Sequence, residues 1–105
     1  MTNDVKTRLA GVADKLRLEY GAESVILFGS YAEGTQSRDS DVDLLVTAPT
    51  EERFFHRMAT ARRVIRDARG GLPVAPIVLT PLEMKNKIES KDPFILGILE
   101  KGIAL

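Results

Sequence analysis

Two aspartates separated by one residue are the most chemically informative feature of this sequence. Asp41 and Asp43 flank Val42 at the start of an apolar run, and ten residues separate Asp41 from a preceding Gly29-Ser30 pair. Alternate side chains of a strand point to the same side, so the two carboxylates would share one side, with α-carbons roughly 6.5–7 Å apart. Carboxylates this close repel each other unless a cation intervenes. Oxygen ligands without His or Cys suit Mg²⁺, which typically binds one or two carboxylates together with substrate phosphates.

The Gly29-Ser30 pair could hold the phosphates of a nucleotide. Gly29 would let a phosphate approach the backbone, Ser30 would offer a hydroxyl, and a helical turn after it would offer N–H groups. Carboxylate-bound metals beside such a turn are what phosphoryl or nucleotidyl transfer needs, because they neutralise charge and align the attacking and leaving oxygens. Each dipeptide alone is common turn chemistry. Their combination at this spacing favours a nucleotide site.

The elements that would position these residues follow from the apolar pattern. Residues 24–29 and 41–48 predict two strands, which carry the Gly-Ser pair and the two aspartates. Residues 72–79 predict a third strand, and Pro76 within it indicates an edge position or a bulge. Residues 30–40 read as a loop with room for one helical turn. Helices are predicted over residues 4–20, 51–69, 81–90 and 93–101.

Residues at the ends of these segments predict where the helices start and stop. Thr2 or Asn3, Thr50 and Asp92 are the expected N-caps, and Pro81 suits a first helical turn. Gly21, Gly70-Gly71 and Gly102 are the expected stops. The resulting order α-β-β-α-β-α-α describes an α/β or α+β sandwich with a small sheet.

The helix predicted over 51–69 has two different faces. Its apolar face consists of Phe54, Met58, Ala61, Ile65 and Ala68. At 100° per residue, Phe55 lies away from that face, on the same side as Arg62, Arg66 and Arg69. Aromatic and Arg side chains dominate interface hot spots, so these four residues are a candidate partner contact. The alternative is a solvated helix face with one stray apolar residue.

Length and composition exclude several classes of function. The 105 residues are one domain's worth, residues 1–105. The absence of cysteine removes disulfides, thiolate metal sites and a Cys nucleophile, and a single His56 excludes a His-rich metal site. No apolar run approaches the ~20 residues of a membrane span, and the first residues lack an apolar signal core. We therefore expect a cytoplasmic protein with no membrane partner.

The zero net charge conceals two oppositely charged segments. Residues 33–52 carry a net charge of −5 and contain the two aspartates, whereas residues 53–69 carry +5. Neutrality over the whole chain argues against a general nucleic-acid binder. The surface is nevertheless expected to have one acidic and one basic region.

The stretch around these motifs resembles the nucleotidyltransferase superfamily of polymerase-β-like folds, and above all the minimal nucleotidyltransferases of bacteria and archaea. That family has an apolar strand, Gly-Ser, about ten residues and then Asp-x-Asp followed by apolar residues, as in Phe28-Gly29-Ser30 and Asp41-Val42-Asp43-Leu44 here. The likeness spans most of the chain. It implies a polymerase-β-like fold with a small mixed sheet flanked by helices.

The resemblance also implies an activity and a partner. It implies transfer of AMP, or another NMP, from a Mg²⁺-bound nucleoside triphosphate such as ATP to a hydroxyl. Asp41 and Asp43 would be the catalytic metal ligands, and Gly29 and Ser30 the nucleotide-binding residues. Many small members pair with a helical HEPN-domain protein as a toxin–antitoxin system, in which the nucleotidyltransferase attaches AMP to the toxin.

Two positions depart from the family pattern. Active members usually carry a third carboxylate on the third strand, where it binds metal and acts as the base. That position falls here on Ala75, or on Pro76 if the alignment shifts by one, and no acid lies between Asp67 and Glu83. Loss of a general base typically costs 10²–10⁴-fold in rate. The second departure is Glu33, which stands where many relatives have Arg and would repel a triphosphate unless it points into solvent.

Two hypotheses of different classes follow. The first is an active nucleotidyltransferase, plausibly an antitoxin that modifies a HEPN toxin. The second is a catalytically degenerate module that neutralises or scaffolds a protein partner by binding alone. Oligomers with itself or with the partner are compatible with both. Four apolar residues near the end of the chain are expected in the core or a dimer seam: Phe94, Ile95, Ile98 and Leu99.

Overall fold

A computed structural model describes all 105 residues as a four-stranded mixed sheet flanked by five helices. The helices are α1 (Asn3–Glu19), α2 (Ser30–Glu33), α3 (Phe54–Val64), α4 (Pro81–Glu89) and α5 (Pro93–Lys101). The strands are β1 (Ser24–Phe28), β2 (Val42–Thr47), β3 (Val74–Leu79) and β4 (Ile103–Ala104). None of the helices combines the length and the hydropathy that a membrane crossing requires.

The sheet has the order β3-β2-β1-β4. Strand β1 is antiparallel to both β2 and β4, whereas β2 and β3 are parallel. The predicted fold class, α/β with a small mixed sheet, is therefore confirmed. Strand β3 lies at an edge of the sheet, which is where Pro76 is tolerated because proline has no N–H to donate. Strand β4 was not predicted: its two residues pair with Ile26 and Leu27 but are too few to give a periodic signal.

Strand β2 separates two apolar layers, as its alternation predicted. Val42, Leu44 and Val46 are fully buried on the side that packs against α1 and α3. Leu45 belongs to a second cluster with residues of α4 and α5. Asp43 lies on the same side of β2 as Leu45, two residues nearer the start of the strand. Asp43 is only half-buried, so its carboxylate is accessible at that end of the sheet.

The expected caps of α1 and α5 are confirmed. The Thr2 hydroxyl accepts a hydrogen bond from the Val5 N–H at 3.2 Å. Asp92 accepts one from the Ile95 N–H at 3.1 Å, and this bond holds the pKa of the Asp92 carboxyl below its ordinary value. Of the four residues near the end of the chain that were expected in the core or a dimer seam, Ile95 and Ile98 are buried in the core, while Phe94 and Leu99 are exposed.

The prediction of a helix over residues 51–69 was wrong at both ends, since α3 covers only Phe54–Val64. The Thr50 hydroxyl does not cap it; it accepts a hydrogen bond from the Glu52 N–H at 3.0 Å and closes a local turn instead. After Ile65 the chain continues in turns, because backbone bonds such as Arg66 N–H to Arg63 C=O span three residues rather than four.

Arg57 replaces part of the expected apolar face of α3. Its side chain is buried, whereas Phe54, assigned to the core from its spacing, is 37% exposed. The Arg57 guanidinium donates to Glu83 Oε1 at 2.6 Å and to the carbonyl oxygens of Glu52 and Val78. This bonding connects α3 to α4 and to β3, and it lowers the pKa of Glu83. A buried charge bonded in this way has no periodic signature in the sequence.

Candidate active site

The antiparallel pairing of β1 and β2 brings the Gly-Ser pair beside the two aspartates. Phe28, the last residue of β1, stands opposite Asp43 in the ladder. Gly29 and Ser30 therefore leave the sheet at the end where Asp41 and Asp43 enter it. The fold therefore brings together the four residues that the sequence predicted to lie side by side.

Gly29 lies directly against the Asp43 carboxylate. Its φ of 74° belongs to the left-handed region, which side-chain-bearing residues rarely adopt. A β-carbon placed on Gly29 would lie 2.5 Å from Asp43 Oδ2. Glycine is therefore required here both for the turn into α2 and for the close approach of the backbone to the carboxylate. Ser30 follows as the first residue of α2 and is half-buried.

The two carboxylates differ in environment. Asp41 is exposed just before β2, while Asp43 is half-buried within the strand. Burial, and secondly the nearby charge of Asp41, raises the pKa of the Asp43 carboxyl above its ordinary value. A divalent cation between them would remove this unfavourable charge. The donor set fits one Mg²⁺, since Mg²⁺ is commonly bound through one or two carboxylates, and nucleotide phosphates and water would supply its remaining ligands.

The third strand carries no carboxylate beside this pair. In the parallel ladder of β2 and β3, Asp43 stands opposite Ala75, and Leu44 stands opposite Pro76. Ala75, not Pro76, therefore occupies the position next to Asp43. No cluster of three or more potential His, Cys, Asp or Glu ligands forms anywhere in the chain. The chain thus supplies two carboxylates to a site and no adjacent base.

A cleft of about 580 Å³ opens next to the aspartates on the side of β3. Its walls are Asp41, Ala59, Arg62, Arg63, Arg66, Arg69, Pro73, Val74 and Ala75. Arg62, Arg66 and Arg69, which the sequence offered as a candidate partner contact, lie together in this cleft beside Asp41. Arg63 was missed because an ideal helix would turn it away from the others. The +5 charge of residues 53–69 was the available signal.

The remaining predicted positions lie at the surface. Phe55 is 78% exposed, as expected, but it is not a wall of the cleft. His56 is exposed. Glu33 is exposed at the end of α2.

The fold and the candidate site are those of a nucleotidyltransferase domain: a small mixed sheet presents a Gly-Ser turn against an Asp-x-Asp pair. The chain belongs to the nucleotidyltransferase domain family, whose model matches residues 9–104. Its fold is the polymerase-β-like one that the motif resemblance implied. A crystal structure of a "putative nucleotidyltransferase" from Sulfolobus solfataricus shares this fold, with a TM-score of 0.52 and 21% identity, over 99% of this chain and 86% of that one.

A curated relative is also similar in sequence. It is a "putative protein adenylyltransferase" of Methanocaldococcus jannaschii, 38% identical over 93 residues. The match covers 81% of this chain but only 60% of that protein. This chain therefore spans less than two thirds of the length of that relative.

Proposed function

We propose that this chain transfers AMP from Mg²⁺-bound ATP to a hydroxyl group of a partner protein. The observation that carries the proposal is the position of Asp43. Its carboxylate lies against Gly29, and burial and the charge of Asp41 raise its pKa. This arrangement supports a cation site beside a backbone turn that a phosphate can approach. The sequence similarity to the protein adenylyltransferase of M. jannaschii supports AMP as the group and protein as the acceptor.

Each site residue would have a distinct role. Asp41 and Asp43 would hold Mg²⁺, which when bound neutralises the phosphate oxygens and favours attack on the α-phosphorus. Gly29 and Ser30 would position the phosphates. The acceptor hydroxyl oxygen then forms a bond to the α-phosphorus, the bond from that phosphorus to the β-phosphate oxygen breaks, and pyrophosphate leaves. The hydroxyl proton passes to water, because Ala75 offers no base.

The partner we propose is a small helical HEPN-domain toxin, with this chain as its antitoxin. Support comes from the likeness of Gly29-Ser30, the ten-residue spacing and Asp41-Val42-Asp43 to the minimal nucleotidyltransferases. In this role, AMP attached to the toxin would block its activity. Both proteins would act in the cytoplasm.

A second candidate function rests on Ala75. Because the residue opposite Asp43 has no carboxylate, the domain would bind a metal weakly and would lack a base. A domain of this kind can neutralise a partner by forming a complex, with no group transfer. The two functions differ in whether the aspartates are needed.

Intact-protein mass spectrometry separates the two functions. The chain is incubated with ATP, Mg²⁺ and the candidate toxin, and the toxin mass is recorded with time. Adenylyl transfer predicts an added AMP that is absent with Asp41→Asn/Asp43→Asn. Asp39→Asn is the matched control, since it removes an exposed neighbouring carboxylate outside the site. No adduct with the wild-type chain, or an adduct that survives the double substitution, would refute the transfer proposal.

A toxicity assay tests the second function. Neutralisation of the toxin by Asp41→Asn/Asp43→Asn as strongly as by the wild-type chain would support binding alone. Loss of neutralisation in that variant, with binding retained in a pull-down, would support group transfer.

A further inference from the structure

The arginine cleft has no ion pairs of its own. Its four arginines are Arg62, Arg63, Arg66 and Arg69, and none forms a salt bridge within the chain. The only hydrogen bonds from these side chains are those of Arg69 to the carbonyl oxygens of Gly70 and Leu72. Like charges grouped in this way repel one another, so an anion bound among them would be favourable. Uncompensated guanidinium groups around a cleft are typical of a site for anionic groups.

The position of the cleft indicates which anion it receives. Asp41 forms one wall, and Ala75, the residue opposite Asp43, forms another. The Gly29-Ser30 turn lies on the β1 side of Asp43, whereas the cleft lies on the β3 side. A nucleotide held by the turn and the aspartates would therefore leave the arginine cleft free for a second molecule. That molecule would reach the α-phosphorus from the side of β3.

We propose that the arginine cleft is the acceptor site, and that it binds an acidic segment of the acceptor protein next to the hydroxyl that is modified. This inference rests on the proposed function. Carboxylates of the segment would pair with the arginines, since Arg binds carboxylates through two parallel hydrogen bonds. The small side chain of Ala75 leaves space for an acceptor group beside Asp43.

The surface around the cleft favours a protein over a nucleic acid. Phe55 and Phe54 lie on α3, the helix that carries Ala59 and Arg62, and their rings form an edge-to-face pair with centroids 5.6 Å apart. Phe55 is largely exposed, as aromatic anchors of protein interfaces are before binding. The chain has no Trp and no net charge, whereas nucleic-acid binders usually combine a basic surface with several stacking aromatics.

Peptide binding tests the inference without any catalysis. The probe is a short fluorescein-labelled peptide with a tyrosine among Glu and Asp residues, and fluorescence anisotropy measures its binding to the full chain without ATP. The matched peptide has Gln and Asn in place of the acids. We expect the acidic peptide to bind at least about tenfold more tightly, and its affinity to fall as salt rises from about 50 mM to about 300 mM.

A pair of matched variants assigns the binding to the cleft. Arg62→Gln/Arg66→Gln removes two exposed arginines of the cleft, and Lys6→Gln/Lys15→Gln removes two positive charges of α1 outside it. We expect the first variant to weaken acidic-peptide binding at least about tenfold and the second to change it less than about twofold. Equal effects of the two variants would overturn the inference.

Two further measurements exclude the alternative anions. Binding of a Mg²⁺-bound non-hydrolysable ATP analogue should be the same in the Arg62→Gln/Arg66→Gln variant and the wild-type chain. A parallel loss would assign the arginines to the nucleotide and overturn the inference. Arginine-dependent binding of a single-stranded oligonucleotide of equal charge, tighter than that of the peptide, would also overturn it. Because peptide binding needs no turnover, arginine-dependent binding without AMP transfer would refute only the proposed function.

Discussion

Asp43 and Ala75 stand opposite each other across the parallel ladder of β2 and β3, so one substitution can complete the carboxylate set. Ala75→Asp would place a third carboxylate beside Asp43. We expect stronger Mg²⁺ binding and faster AMP transfer, by roughly 10²-fold, because a positioned general base contributes that much. Initial rates and the Mg²⁺-dependent shift in melting temperature measure the two effects. Ala75→Asn is the control of equal shape; an Asp variant no faster than the Asn variant would contradict the prediction.

The carboxylate of Asp43 is expected to cost stability when no metal is bound. Burial and the charge of Asp41 both disfavour its ionised form, as its raised pKa records. Asp43→Asn should therefore raise the melting temperature in EDTA at neutral pH, because it removes the buried charge. Differential scanning calorimetry measures it, with Asp39→Asn as the exposed control. A lower melting temperature for Asp43→Asn would show that the charge is stabilising.

Gly29 and Gly34 both have a positive φ, but their ψ values differ, −154° at Gly29 and 19° at Gly34. Gly29 and Gly34 have φ of 74° and 75°, but a β-carbon on Gly34 would meet nothing within 4 Å. Gly34→Ala should cost about 1–2 kcal/mol of unfolding free energy through its left-handed conformation, and Gly29→Ala should cost more, because its φ and ψ fall in a region that essentially only glycine adopts. Only Gly29→Ala should also displace the Asp43 carboxylate and abolish Mg²⁺–nucleotide binding, which calorimetric titration measures. Equal binding by the two variants would remove the role assigned to Gly29.

The Arg57–Glu83 pair makes the stability of the fold depend on pH. Glu83→Ala would leave a buried guanidinium without its charged partner, at a cost of about 2 kcal/mol in urea unfolding near neutral pH. The pKa of Glu83 is lowered by the hydrogen bond from Arg57, so the folded state favours the ionised carboxylate. This stabilisation is present above the ordinary pKa of 4.5 and is lost as the pH falls through the lowered value.

Urea unfolding of the wild-type chain and Glu83→Gln at several pH values tests this dependence. The Gln variant keeps a side-chain oxygen that can accept the hydrogen bond from the Thr80 N–H, but it does not keep the charge. The difference between the two proteins should shrink below about pH 4.5. A difference that does not change with pH would show that the ion pair contributes nothing.

The candidate active site was predictable because its determinants are local. Gly29-Ser30 and Asp41-Val42-Asp43 mark the end of one strand and the start of the next, and an antiparallel pair necessarily brings those points together. The residue that stands where the family has its third carboxylate could be assigned only from the register of β2 and β3. That register left no ambiguity between Ala75 and Pro76 once the strands were paired.

What could not be predicted depends on contacts between distant segments. Arg57 is buried because Glu83, 26 residues away, pairs with it. Helical periodicity grouped Arg62, Arg66 and Arg69, and these arginines do line one cleft. Periodicity could not place that cleft beside Asp41, because its position depends on how α3 and the turns after it pack against β3.

Isothermal titration of the chain with a Mg²⁺-bound, non-hydrolysable ATP analogue tests the central claim most directly. The claim is that Asp41, Asp43, Gly29 and Ser30 form one Mg²⁺–nucleotide site. It predicts binding by the wild-type chain and by Asp39→Asn, no binding by Asp41→Asn/Asp43→Asn, and none when EDTA removes the metal. Nucleotide binding that persists in the double variant, or no binding by the wild-type chain, would contradict the claim.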